Sequence, residues 1–300
     1  MSIELATVDS NSHVENELTK RLAEVGSAFN SDVVTIFAPM FAFIEPLVRG
    51  AIEYISTNSI SERRNLSVIL ETDGGSIEVV ERIANLLRHF YCEGEINFIV
   101  PDRAMSAGTV LVMCGDNIYM DYFSVLGPID PQIRTADDSR YVSAMGYLDK
   151  YEELIEKSRK DELTTAELAF LLQKFDPAVL DSFRKAGALS KDLLVEWLTK
   201  YKFKNWTKTA SKGKKVTEIM KRRRAAKIYK QLNDTKTWKS HLRGISMSVL
   251  QEKVELRIED FGADRQKDSA IRSYYGLLQD YMTRLRSDIV IHSDDNILKF

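Results

Sequence analysis

The chain has 300 residues, of which 44% are apolar and 29% charged, with 42 basic side chains against 44 acidic ones. That length is enough for one large domain or two ordinary ones, and the near-neutral charge with abundant apolar residues indicates a soluble globular chain able to bury a full core. Its two cysteines, Cys92 and Cys114, lie far from metal-ligand spacing, which excludes a cysteine-based metal site; in apolar helical contexts they are expected as reduced core thiols of a cytosolic protein.

Residues 1–29 are polar and read as an N-terminal arm, with an amphipathic helix from Val14 to Phe29 that sets Leu18, Leu22 and Val25 on one side. No basic-then-apolar leader is visible there. Val33 to Val48 is the most apolar stretch, but Pro39, Glu45 and Pro46 interrupt it well short of the roughly 20 residues a membrane span needs. A core strand, a turn and a helix start are expected instead. Leu66 to Leu70 then reads as a strand, Thr72-Asp-Gly-Gly-Ser76 as a tight turn, and Glu78 to Phe90 as a helix expected to bury Val79, Val80, Ile83, Ala84, Leu86, Leu87 and Phe90. The pattern repeats at once: Ile96 to Val100 is a strand stopped by Pro101, and Ala107 to Cys114 a small apolar helix.

Ser106 stands at the start of that second helix. By itself it would be a helix cap. Near the positive end of a helix dipole, however, a serine is also placed where negative charge on a nucleophile or a substrate oxygen is favoured. The preceding Gly-Gly turn adds to this, because glycine lets the backbone approach a ligand; the amides of Gly74 or Gly75, together with that of Ala107, would make an oxyanion hole. Two successive strand-turn-helix units, one closing on Gly-Gly and the next on serine, point to acyl transfer.

Beyond about residue 135 strands give way to helices. They are expected over Leu148 to Arg159, Thr164 to Phe175 with a Thr164-Thr-Ala-Glu167 capping box, Ala178 to Ala186 and Ser190 to Tyr201, with Asp176-Pro177 as a break and Gly187 as a helix end. Between Lys200 and Lys230 the chain is strongly basic, with Lys221-Arg-Arg-Arg224 and Glu218 as the one acid. This segment suits nucleic acid or an acidic partner through 212–230, or a face paired with the acidic Glu252 to Asp260 stretch. Ile271 to Arg286 reads as a last amphipathic helix before a polar end. The expected organisation is an arm (1–29), an α/β catalytic core (30–135), a helical layer of the catalytic domain (136–205) and a basic C-terminal extension (206–300).

Four stretches, Leu70-Glu-Thr-Asp-Gly-Gly75, Val100-Pro-Asp-Arg-Ala-Met-Ser-Ala-Gly-Thr109, Asp116-Asn-Ile-Tyr-Met-Asp121 and Val125-Leu-Gly-Pro-Ile-Asp-Pro-Gln132, resemble the Clp-fold serine peptidases. Within that group the chain is most similar to the serine dehydrogenase proteinase branch, related to signal peptide peptidase A. The resemblance implies an α/β fold with a Clp/crotonase-like core of repeated ββα units, an added helical layer and a small C-terminal helical unit. It also implies self-assembly into a homo-oligomer, peptide or protein substrates and no cofactor.

The identity of the general base is a separate matter. The Clp protease carries a histidine about two dozen residues after its serine, whereas here that position falls in Gly127-Pro-Ile-Asp130-Pro, and no histidine occurs between His89 and His241. The resemblance to signal peptide peptidases therefore favours a Ser106–Lys150 dyad, with Lys150 at the margin of a helical face made by Tyr147, Leu148, Tyr151, Leu154, Ile155 and Ser158, reaching inward along an apolar wall. His241 is the alternative base and Asp130 an alternative orienter. The expected reading is a cytoplasmic serine endopeptidase without an integral membrane segment, peripheral attachment being left open. A crotonase-like acyl-CoA enzyme and a nucleic-acid- or protein-binding regulatory module on a peptidase fold are the rival classes. Neither a phosphate-binding GxxxxGK[ST] motif nor metal-ligand spacing is present, so ATP dependence would require a separate partner.

Overall fold

Val33-Val-Thr-Ile-Phe37 supplies the β-branched and aromatic residues that suit a strand buried on both faces. In this computed structural model, which describes residues 10–58, 65–134, 141–209 and 213–300, that stretch is central. The chain opens with α1 (Ser10–Phe29), β1 (Asp32–Phe37) and α2 (Ile44–Asn58). Two strand-turn-helix units follow: β2 (Leu66–Glu71) with α3 (Ile77–Phe90), then β3 (Ile96–Ile99) and β4 (Arg103–Ala104) with α4 (Ala107–Val112). Next come β5 (Asn117–Met120), β6 (Val125–Leu126) and the hairpin strands β7 (Gln132–Arg134) and β8 (Tyr141–Ser143). The helical layer is α5 (Ala144–Arg159), α6 (Thr165–Lys174) and α7 (Pro177–Trp197), which widens into a π-helical turn over Leu198–Lys202. The remainder comprises α8 (Glu218–Leu232), α9 (Thr235–Trp238), β9 (Ile245–Ser246), α10 (Met247–Glu252), β10 (Glu259–Asp260), α11 (Arg265–Leu285), β11 (Val290–Ser293) and β12 (Asn296–Lys299).

The main sheet has the order β10-β5-β3-β2-β1-β11-β12, parallel from β10 to β1 and antiparallel across β11 and β12. Val34, Val68 and Phe98 lie in register across β1, β2 and β3. Strands buried along nearly their whole length need cover on both faces. One face packs on α2, α3, α4 and the end of α7; the other packs on α1 and α11. Leu18, Leu22 and Val25 of α1 are buried against α11, each worth roughly 1.5–3 kcal/mol. The amphipathic face expected in the N-terminal arm is thus covered within the same chain, while residues 1–9 lie outside the described ones.

The α/β class and the paired strand-turn-helix units agree with the sequence reading, as does the Thr164–Glu167 capping box. Three details differ. Gly187 ends no helix: it sits inside α7, where its carbonyl accepts the Tyr229 hydroxyl of α8 at 3.0 Å, and packing on α8 outweighs its poor propensity. Cys92 is exposed just beyond α3, whereas Cys114 is buried and its thiol is pushed up to about 12. Finally, the polar C-terminal end folds into β11 and β12, so residues after 206 add strands to both edges of the main sheet rather than only helices.

Candidate active site

A second, three-stranded sheet gathers the chemistry. β4 pairs parallel with β6, and β6 antiparallel with β9. Ser106 follows β4 by two residues, Asp130 follows β6 by four, and His241 precedes β9 by four. Because β9 runs opposite to its neighbours, its beginning lies beside the ends of the other two. All three residues therefore emerge at one end of this sheet.

Ser106 is held in an unusual conformation, with φ 53° and ψ −119°, and its side chain makes no capping hydrogen bond. A non-glycine residue in such a region costs on the order of 1–3 kcal/mol, strain that is typical of functional sites. The neighbouring structure fixes it: the Met105 amide donates to Thr72 O at 2.9 Å, the Gly108 amide to Met105 O at 2.8 Å, and the Thr72 amide to Arg103 O at 3.1 Å. Gly74 and Gly75 have φ of 101° and 149°. A Cβ on Gly74 would stand 2.7 Å from Ser106 Cβ and 3.3 Å from Ala107 N, and one on Gly75 would stand 2.3 Å from Met40 O. Only glycine leaves the space beside Ser106 open.

The predicted oxyanion donors are not equivalent. The Gly74 amide donates to Thr72 Oγ1 at 3.0 Å. Among the described residues the amides of Gly75 and Ala107 donate to no protein acceptor, and the Gly75 segment is pinned by Met40 N to Gly74 O and Ser76 N to Met40 O, both 2.8 Å.

His241 Nδ1 lies 2.8 Å from Asp130 Oδ1. The Asp130 side chain is 3% exposed and that of His241 15%, so the carboxylate is sheltered and the ring still reaches solvent. Burial, the largest single influence, would raise the Asp130 carboxyl, but the hydrogen bond from His241 together with the nearby Ser143 hydroxyl and smaller contributions outweighs it and holds the group below its usual range. Gln132 Nε2 donates to the second oxygen, Oδ2, at 2.8 Å. Among the described residues His241 Nε2 has no partner, so the ring nitrogen away from Asp130 is open.

Lys150 is placed otherwise than the sequence suggested. Its side chain is 47% exposed and its ammonium binds Glu153 Oε1 at 2.9 Å on the solvent side of α5, while Leu148 and Leu154 take the buried face. Lys157 pairs with Glu167 at 2.7 Å, which raises its pKa. Neither lysine lines an apolar wall.

Two residues that sequence reasoning passed over support the site. The Thr109 hydroxyl lies 2.7 Å from Ala104 O and 3.0 Å from Gly127 O and accepts the Gly127 amide at 2.9 Å, stapling the serine-bearing segment to the one that leads to Asp130. Arg103 reaches Asp73 at 2.6 Å, Glu71 at 2.8 Å and Asp102 at 2.7 Å, tying the Gly-Gly turn to β4. Arg103 lies on β4, three residues before Ser106, and nothing in its sequence setting distinguishes it from an ordinary strand arginine. Exposed apolar side chains flank the site, Phe41 and Phe43 after Met40 on one side and Leu242 beside His241 on the other.

Elsewhere, the basic helix α8 is partly neutralised within the chain, Arg224 and Lys227 both pairing with Glu255; residue 212 of the basic segment lies outside the described ones. Among the described residues no three His, Cys, Asp or Glu side chains converge on a metal position, and no helix is long and apolar enough to cross a membrane.

Ser106 thus stands in a strained conformation at a helix start, beside Gly74, on an α/β core. Residues 31–159 match the ClpP-like SDH-type serine proteinases. The match includes Ser106, Asp130 and Lys150; His241 lies beyond it. Two uncharacterized proteins of Methanocaldococcus jannaschii are similar: MJ0137, 30% identical over 125 residues (38% of this chain, 42% of that protein), and MJ1495, 37% identical over 68 residues (23% of each). The chain thus spans less than half the length of these curated relatives. Among solved structures it resembles a mutant of the 1510-N membrane-bound stomatin-specific protease at 16% identity, with TM-score 0.33 over 40% of this chain and 56% of that one. A second mutant of that protease, in complex with a substrate peptide, has 14% identity and TM-score 0.35 over 55% and 59%. Neither likeness bears on the site.

Proposed function

We propose that the protein is a serine endopeptidase that works through an acyl-enzyme on Ser106, with His241 as general base and Asp130 as its orienter. The observation that carries this reading is the Asp130–His241 pair at the end of the sheet from which Ser106 also emerges. Asp130 accepts from Nδ1–H and so favours the tautomer whose Nε2 is a free base. Nε2 takes the Ser106 proton as Oγ attacks the peptide carbonyl carbon, and the negative charge gathers on the former carbonyl oxygen. The Gly75 and Ala107 amides donate to that oxygen. Collapse of the tetrahedral intermediate breaks the C–N bond, and the imidazolium returns its proton to the leaving amine. Water, activated by the same Nε2, then cleaves the ester. Nucleophile–base hydrogen bonds are often long before substrate binds, which accommodates a Ser106 hydroxyl without a capping partner.

The Ser–Lys alternative needs Lys150 to leave Glu153 and shed its water before it can act as a base. His241 already has its carboxylate partner and an open nitrogen. Phe41, Phe43 and Leu242 favour substrates with apolar side chains near the cleaved bond. Self-association completes the proposal, supported by the exposed Leu168, Phe170 and Leu172 of α6. The test is a fluorophosphonate probe on the purified protein: covalent labelling that maps to Ser106 and vanishes in Ser106→Ala is expected, and correctly folded wild type that resists the probe contradicts the reading.

A further inference from the structure

Behind α4, at the end opposite Ser106, the π-helical turn after α7 opens a cavity of about 400 Å³. Isolated π-helical turns are uncommon and often occur at functional sites. Tyr201, Phe203 and Trp206 give this cavity aromatic walls, and four cations, Lys202, Lys204, Arg224 and Arg257, line it. Three of these are matched by carboxylates. Lys204 meets Asp116 at 2.6 Å and Glu95 at 3.3 Å, Arg224 pairs with Glu255, and Arg257 meets Glu259 at 2.7 Å. Arg88, close by, is engaged by Asp116 and the Cys114 carbonyl and lies over the Tyr201 ring at 3.6 Å.

Lys202 is left over. Among the described residues its ammonium meets no carboxylate and no hydrogen-bond acceptor. Burial pushes it down to about 8; the charges of Glu259 and Asp116 oppose this only in part, and that of Arg257 adds to it. A partly buried cation without a counterion destabilises its surroundings, and an anion supplied from outside would relieve that. Flat aromatic walls beside it add a stacking surface.

We propose that this cavity binds a small organic anion that carries a flat ring, with its anionic group on Lys202 and its ring against Phe203 and Trp206. The site is separate from Ser106 and independent of the peptidase reading. Most of its polar lining sits on fixed elements: Asp116 just before β5, Arg224 on α8, and Lys202 on the π-turn. The wall is therefore largely preformed.

Calorimetric titration of the full-length protein with 1-naphthyl phosphate tests it. Saturable binding at one per chain is expected, weakened at least tenfold in Lys202→Met and unchanged in Lys191→Met, a lysine of the separate α7–α8 surface groove. Inorganic phosphate should bind at least tenfold more weakly than the aryl phosphate. A second measurement needs no variant: acetic anhydride labelling of wild type near pH 8, read by peptide mass spectrometry, should show Lys202 protected at least tenfold by 1-naphthyl phosphate. Undiminished binding to Lys202→Met, equal affinity for inorganic phosphate, absence of saturable binding or absence of protection would each overturn the proposal.

Discussion

His241 and His292 both lie in the C-terminal part of the chain, in opposite surroundings. His292 is on β11, fully buried, with its Nε2 donating to Asp294 O at 3.0 Å. Its Nδ1 accepts from the Tyr274 hydroxyl at 2.9 Å, whose oxygen in turn accepts from Thr35 at 2.8 Å. Every lone pair and proton of that ring is committed to a neutral partner, and burial pushes its pKa down to about 4. His241 has one nitrogen on a sheltered carboxylate and the other without a partner among the described residues. A charged partner on one side and a vacancy on the other fit an imidazole for proton transfer; neutral partners on both sides make it a structural bolt.

The contrast can be broken most sharply at the site. Ser106→Ala and His241→Ala should each lower kcat/KM for a peptide or aryl ester substrate by on the order of 10⁴-fold, with the melting temperature nearly unchanged. Asp130→Asn should cost about 10²- to 10⁴-fold, because a neutral amide does not stabilise the imidazolium or fix its tautomer; urea unfolding of the same variant separates lost activity from lost fold.

His292 should be visible only in stability. Its folded pKa of about 4 lies below the roughly 6.5 of an unfolded histidine, so the unfolded chain binds more protons between those values. Stability is fully present above about pH 6.5 and falls as pH drops toward 4, by roughly 3 kcal/mol at most. His292→Gln should flatten that slope in urea titrations at pH 7, 5.5 and 4.5 while leaving the pH profile of kcat/KM in place; an unchanged slope contradicts the account of its burial. The smallest effect is expected at Lys150. Removing its exposed pair with Glu153 by Lys150→Ala should alter stability by less than about 1 kcal/mol and kcat/KM by less than about twofold.

These differences also mark what was legible in the sequence. The Gly74-Gly75 turn and Ser106 stand out because each closes a local strand-turn-helix unit whose apolar periodicity is strong, and β2, α3 and β3 lie within a residue or so of where that periodicity puts them. The Asp130–His241 pair leaves no such trace. Its members are 111 residues apart and are joined through β6 and β9, two residues each, too short for any pattern. Lys150 came from a resemblance, and the helical wheel put it at a margin that folding turned toward water. β11 and β12 were hidden by the polar Ser293-Asp-Asp-Asn296 turn between them, and Arg103 by the ordinary look of an arginine on a short strand.

The most direct measurement of the central claim is the rate of fluorophosphonate labelling of Ser106 in His241→Ala beside Lys150→Ala, each with its fold checked by circular dichroism. The Asp130–His241 account predicts that His241→Ala loses labelling by at least a hundredfold while Lys150→Ala labels like wild type. Loss in Lys150→Ala with labelling retained in His241→Ala would contradict it and make the lysine the base.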